Sequence, residues 1–192
     1  MMYAARGSAA DEITSADLGG LVGEALAGVA GARKVIALPP DITRFHSRAG
    51  EITDLIHGQL GGRLAAVLPA LGTHAPMTPA EIATMFPRTP ASLFQVHDWR
   101  KDPLEFARIP ASFVREVGEG VVDYDYPVMA SRKLVEDGYD AIVSIGQVVP
   151  HEVVGMANHA KNIFVGTGGK ESIDKSHFLG AAYGMERMMG RA

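Results

Sequence analysis

The chain has 192 residues, 47% of them apolar, with 18 lysines and arginines against 22 aspartates and glutamates and a net charge of −4. This is the profile of one globular domain: its mild acidity gives no electrostatic reason to expect a nucleic acid or an anionic membrane as partner, and no segment approaches the ~20 apolar residues of a spanning helix. The complete lack of cysteine excludes disulfides, thiolate metal sites and cysteine nucleophiles, so a metal must rest on histidine or carboxylate, or on donors brought by a cofactor.

The first 17 residues lack the basic start and apolar middle of a secretory signal, which makes the cytoplasm the expected location. Leu18, Val22 and Leu26 at helical spacing predict a helix over Ala16–Val29, followed by a strand over Lys34–Pro39. Ile52, Leu55, Ile56 and Leu60 place a helix over Ala49–Leu60, with a strand over Arg63–Pro69 after it. Thr78-Pro79-Ala80-Glu81 has the form of a capping box with proline at the first helical position, so another helix starts there. Strands are predicted over Ser92–His97, Asp140–Gly146 and Asn162–Gly166, and helices over Tyr126–Asp137 and Ser172–Met189. Strands alternating with helices in this way predict a single α/β domain over residues 1–192, Rossmann-like, with a largely parallel sheet flanked by helices.

In such sheets ligands bind beyond the carboxyl ends of the strands. The loops there read Pro39-Pro40-Asp41-Ile42-Thr43-Arg44, Gly72-Thr73-His74-Ala75-Pro76-Met77-Thr78, Gly146-Gln147-Val148-Val149-Pro150-His151 and Gly166-Thr167-Gly168-Gly169-Lys170. Familiar motifs fail on single residues. A dinucleotide fingerprint starting at Gly166 needs glycine at 171, where Glu171 stands, and a P-loop ending at Lys170 needs serine or threonine at that same position. His151-Glu152 lacks the second histidine of a metalloprotease helix because position 155 is Gly155, and no Gly-x-Ser-x-Gly elbow occurs. The glycines at 166, 168 and 169 before a helix leave two readings open, a phosphate cradle or a tight turn.

Taken together, Asp41-x-Thr43-Arg44, the segment Gly72–Thr78, Pro150-His151, Lys161 ten residues after His151 and His177 sixteen further on resemble the N-terminal domain of the nickel-dependent lactate racemase family. The resemblance implies a nickel-pincer nucleotide, a sulfur-modified nicotinic acid mononucleotide holding nickel, attached to Lys161 and ligated by His177. It implies His74 and His151 as the paired acid/base groups, Asp41 and Arg44 as orienting groups, and inversion at C2 of a small 2-hydroxy acid or sugar acid by hydride transfer. It also implies two kinds of partner: a second domain or chain completing the cleft, since the family's C-terminal domain is absent from this sequence, and cofactor-maturation enzymes. Three positions depart from the family pattern: Ala157-Asn158-His159-Ala160 stands where members often have a glycine-rich run before the lysine, Ala75 where many have arginine, and Phe45 where proline is common.

Two other readings use the same residues. His74, His151 and His177 could form a three-histidine zinc site of a hydrolase, which leaves Lys161 without a task. A non-catalytic fragment could bind a nucleotide through Gly166–Gly169. His46, His57, His97 and His159 match no family role, although His97 at the end of a predicted strand could line the cleft in support of the groups that touch the ligand. Met185, Met188 and Met189 read as packing residues.

Overall fold

The computed structural model describes residues 2–191. Ser15–Leu26 (α1) opens on a capping box in which Thr14 accepts the Asp17 N–H and the Asp17 carboxylate accepts the Thr14 N–H. Val35–Leu38 (β1) follows, then Ala49–Leu60 (α2), Leu64–Val67 (β2), and Pro79–Met85 (α3), which starts on the capping box anticipated at Thr78 and Glu81. Pro103–Ile109 (β3), Ala111–Val117 (α4), Tyr126–Ser131 (β4) and Arg132–Glu136 (α5) form the middle of the chain. Ala141–Ser144 (β5) and the short strands Pro150–His151 (β6) and Gly155–Met156 (β7) lead to Ala160–Phe164 (α6), Lys170–Tyr183 (α7) and Met185–Met188 (α8).

The main sheet is parallel with strand order β2-β1-β5. Every residue of β1 is fully buried, as a central strand covered on both faces must be. Its side chains alternate between two cores. Val35 and Ala37 pack with Val22, Ile56, Leu60 and Phe86 beneath α1 and α2, and Ile36 and Leu38 pack on the other face with Ala66, Leu68, Ala130 and Leu134. The fold is therefore α/β, a parallel sheet between helical layers. A second, antiparallel pair, β3 with β4, covers the second face.

Several elements differ from the sequence expectation. The segment 92–97 forms a 3-10 turn over Ala91–Leu93 and touches the sheet through one parallel bridge, Val67 to Phe94. Residues 162–164 belong to α6 and 165–166 to the turn that follows: Val165 N–H donates to the Lys161 carbonyl and Thr167 N–H to that of Ile163. The three-residue apolar run Ile163-Phe164-Val165 has no period long enough to separate strand from helix, and here the backbone closes on itself. The stretch 126–137 divides into β4 and α5, and β3 pairs with β4 across a connection containing α4. The last helix breaks at Gly184, whose φ of 102° lies outside the helical region. Among the described residues, no helix is long and apolar enough to cross a membrane.

Candidate active site

The strand order sets β1 between β2 on one side and β5 on the other, so the loops leaving their carboxyl ends part around a crevice. Residues 39–47 follow β1, 68–78 follow β2 and 145–149 follow β5. The helices α6 and α7 close the far side. A cleft of about 280 Å³ lies there, with Arg44, His74, His151, Glu152, Lys161 and His177 on its walls and Leu71, Val165 and Ile173 among its apolar lining. A narrow recess of about 60 Å³ adjoins it, sharing Arg44, His74 and Lys161 and adding Asp41, Gln147 and Asn158.

Asp41 is buried and caps the 3-10 turn Ile42–Ser47. Its Oδ1 accepts from the Thr43 N–H at 3.1 Å and the Thr43 hydroxyl at 2.5 Å, and its Oδ2 lies 2.6 Å from His74 Nδ1. A carboxylate only accepts, so the His74 ring donates from Nδ1 and its neutral form keeps a lone pair on Nε2. The His74 side chain is 58% exposed although its carboxylate partner is buried.

His151 has the opposite tautomer. At the tip of the β6–β7 pair, its Nδ1 accepts from the backbone N–H groups of Val153 at 3.2 Å and Val154 at 3.4 Å, which puts the proton of the neutral ring on Nε2. Burial holds its pKa below the ordinary histidine value, and the nearby Lys161 cation lowers it further. Glu152, 3.7 Å from Nδ1, pulls the other way but is largely exposed.

Lys161 stands in the first turn of α6. Burial, assisted by the Arg44 cation, draws its pKa below the usual lysine range. Among the described residues its amine makes no hydrogen bond or ion pair. His177, in the second turn of α7, places Nδ1 2.7 Å from the Ile173 carbonyl, a donor's position that leaves the Nε2 lone pair free.

The glycine-rich turn behaves differently from either strand-loop motif. It joins two helices, and its N–H groups are all engaged: Gly166 on the Lys161 carbonyl, Thr167 on Ile163, Gly168 on Val165 and Gly169 on the Ser172 hydroxyl. Gly166 lines the cleft, whereas Gly168 and Gly169 are packed away from it. A Cβ on Gly168 would stand 2.3 Å from the Phe164 carbonyl oxygen, and one on Gly169 would meet Met129 at 2.8 Å. Of the two readings of this turn, phosphate cradle and tight turn, the second has the direct support: each of its amides has an acceptor within the chain, and Gly168 and Gly169 serve close packing. His97 sits behind it, buried, with Nε2 3.0 Å from the Gly168 carbonyl. It does not line the cleft. Glu152 and Asn158 were missed as site residues, because one exposed acid and one loop amide carry no motif of their own.

Among the described residues, no three histidine or acidic side chains gather as a protein-built metal cage requires. His74, His151 and His177 share a cleft without converging on one point, which removes the geometric support for the three-histidine zinc reading.

The model of the lactate racemase N-terminal domain family matches residues 10–189, nearly the whole chain. The chain belongs to that family. A Thermotoga maritima protein of known structure aligns with a TM-score of 0.75 and 22% identity over 93% of this chain and 44% of its own. The lactate racemase apoprotein from Thermoanaerobacterium thermosaccharolyticum aligns with a TM-score of 0.63 and 19% identity over 84% of this chain and 39% of its own. At these identities the likeness is one of fold, and the chain spans less than half the length of either solved relative. A search of curated protein sequences finds no match. Within the family frame, the motif residues quoted from the sequence, Asp41, Arg44, His74, His151, Lys161 and His177, all line the crevice at the strand ends.

Proposed function

We propose that the chain supplies the cofactor-anchoring and acid/base side of a racemase or epimerase that inverts C2 of a small 2-hydroxy acid or sugar acid. The observation that carries this reading is the common cleft of His74, His151, Lys161 and His177, four side chains spread over more than a hundred residues.

These residues suit a nickel-pincer nucleotide. Lys161 offers a partly buried amine that makes no ion pair among the described residues, and His177 offers an Nε2 lone pair on a ring fixed through its Nδ1–H, the arrangement in which imidazole ligates metals. A single imidazole is enough when the cofactor carries its own donors, so the lack of a protein-built cage is consistent with it. When bound, the cofactor would supply a hydride acceptor.

The chain's own residues would handle the proton and the carboxylate. Arg44 is placed to hold the substrate carboxylate with its guanidinium fork. His74 Nε2 carries the lone pair of a ring oriented by its Nδ1–H bond to buried Asp41, so it takes the hydroxyl proton as C2 loses hydride. His151 presents an Nε2–H to the cleft and stabilises the developing carbonyl oxygen by donating to it. For the other enantiomer the parts exchange, and His151 must then free Nε2 of its proton. An Nδ1–H cannot face the two backbone donors, so the ring turns over or the hairpin yields. The second domain or chain would close the cleft beside the exposed His74, and maturation enzymes would deliver the cofactor.

The test is a chiral assay of single-enantiomer 2-hydroxy acids on the cofactor-loaded protein with its second domain. Appearance of the opposite enantiomer, lost in His74→Ala and His151→Ala proteins that remain folded, is expected. Near wild-type racemisation by either variant overturns the two-histidine scheme.

A further inference from the structure

We propose that Asn158 is a positioning residue for Lys161: its side chain ties the end of β5 to the first turn of α6 and fixes where the lysine stands in the cleft. The proposal rests on the reading of Lys161 as the anchoring group.

Nothing holds the Lys161 amine directly among the described residues, so its place in the cleft is set by its backbone. That backbone begins in an unusual conformation. Asn158 and His159 have φ of 62° and 49°, two successive non-glycine residues on the left-handed side. This is the stretch where the sequence has Asn158-His159 in place of a glycine-rich run. Asparagine tolerates positive φ better than most residues, which lets the turn survive without glycine there.

Asparagine also adds what glycine lacks. Its Oδ1 accepts from the Ser144 hydroxyl at 3.1 Å and from Asn162 Nδ2 at 2.8 Å, and its Nδ2 donates to the Gly146 carbonyl at 2.9 Å. Its own carbonyl accepts the Lys161 N–H at 3.0 Å. Asn158 thus bonds to the lysine's backbone and to the next side chain, while gripping the strand end on both sides of Ile145. Asn162 is buried and continues the bridge by donating to the Ile145 carbonyl at 3.0 Å. Gly146 leaves room for it, since a Cβ there would come within 3.3 Å of the Asn158 amide carbon.

The test reads Lys161 itself, without cofactor or turnover. The chain is treated with a limiting amine-acylating reagent from about pH 7 to 10.5, and acylation of Lys161 is followed by peptide mass mapping against the exposed Lys101. In the wild type, Lys161 should reach half-maximal labelling below the ordinary lysine range. Asn158→Gly keeps the backbone accessible and removes the bridge, so the Lys161 profile should move toward that of Lys101 with several-fold altered labelling at fixed pH. An unchanged Lys161 profile in Asn158→Gly overturns the proposal. Should that variant fail to fold, Ser144→Ala removes one tether and is read by the same criterion. A protein that never gains an adduct on Lys161 when co-produced with maturation enzymes would instead defeat the anchoring role, and the labelling profile is independent of that outcome.

Discussion

Asp41 Oδ2 stands 2.6 Å from His74 Nδ1 across 33 residues of sequence, while the Nδ1 of His151 receives two backbone N–H groups. One imidazole therefore offers the cleft a lone pair and the other a proton. His74→Ala should lower kcat by about 10²–10⁴-fold, the usual contribution of a general base. Asp41→Asn should lower it less, because the amide oxygen can still accept from Nδ1–H and orient the ring. For a true racemase the equilibrium constant fixes the two kcat/KM values to be equal, so unequal roles must appear in kcat and KM measured separately from each enantiomer. Identical kcat values from both enantiomers in the Asp41→Asn enzyme would speak against the asymmetry.

Arg44 tests carboxylate recognition. Arg44→Lys keeps the charge and removes the bidentate fork, with a cost of roughly 1.5–3 kcal/mol for a charge-assisted hydrogen bond. KM for the 2-hydroxy acid should rise by about 10–100-fold, with a smaller change in kcat. A lysine variant with unaltered KM would remove Arg44 from substrate binding.

Stability should fall on acidification. His97 is buried and its pKa is lowered by burial below its ordinary 6.5, as is that of His151. Each takes up its proton more readily in the unfolded chain, so stability is full above about pH 6.5 and is lost as the pH drops through that value toward the lower folded one. Urea midpoints measured between about pH 7.5 and 5 should decline, and His97→Gln, which can still donate to the Gly168 carbonyl, should flatten that decline. An equally steep decline in the variant would mean that His97 contributes none of it.

Two glycines should respond in opposite directions. Gly168→Ala forces a methyl against the Phe164 carbonyl and should destabilise by about 1–3 kcal/mol. Gly58 lies inside α2 with open space around it, and Gly58→Ala should stabilise by about 0.5–1 kcal/mol. Thermal midpoints of the two variants, moving down and up respectively, check the packing described for the turn.

How far these features could be read from the sequence depended on how local their cause was. The capping box at Thr78 and Glu81 was legible because its hydrogen bonds close within four residues, and β1 because a wholly apolar run suits a strand covered on both faces. The helix at 160–164 was not, since Ile163-Phe164-Val165 would serve a strand equally well and only backbone closure decides. β3 went unseen because it is largely exposed and its partner arrives 17 residues after it ends, beyond any local signal. Motif residues His74, His151, Lys161 and His177 could be listed in order, but not the contacts that set their protonation. Asp41 reaches His74 through the adjacency of β1 and β2, and the donors to His151 arise from the three-residue bend between β6 and β7.

The central claim is that Lys161 anchors a nickel-bearing nucleotide in this cleft. Protein produced together with cofactor-maturation enzymes, analysed by intact mass, peptide mapping and metal content, tests it most directly. A covalent nucleotide adduct confined to Lys161 with nickel near one equivalent, and nickel lost in His177→Ala, is the predicted result. Unmodified Lys161 in protein whose maturation enzymes load a known member of the family in parallel would contradict it.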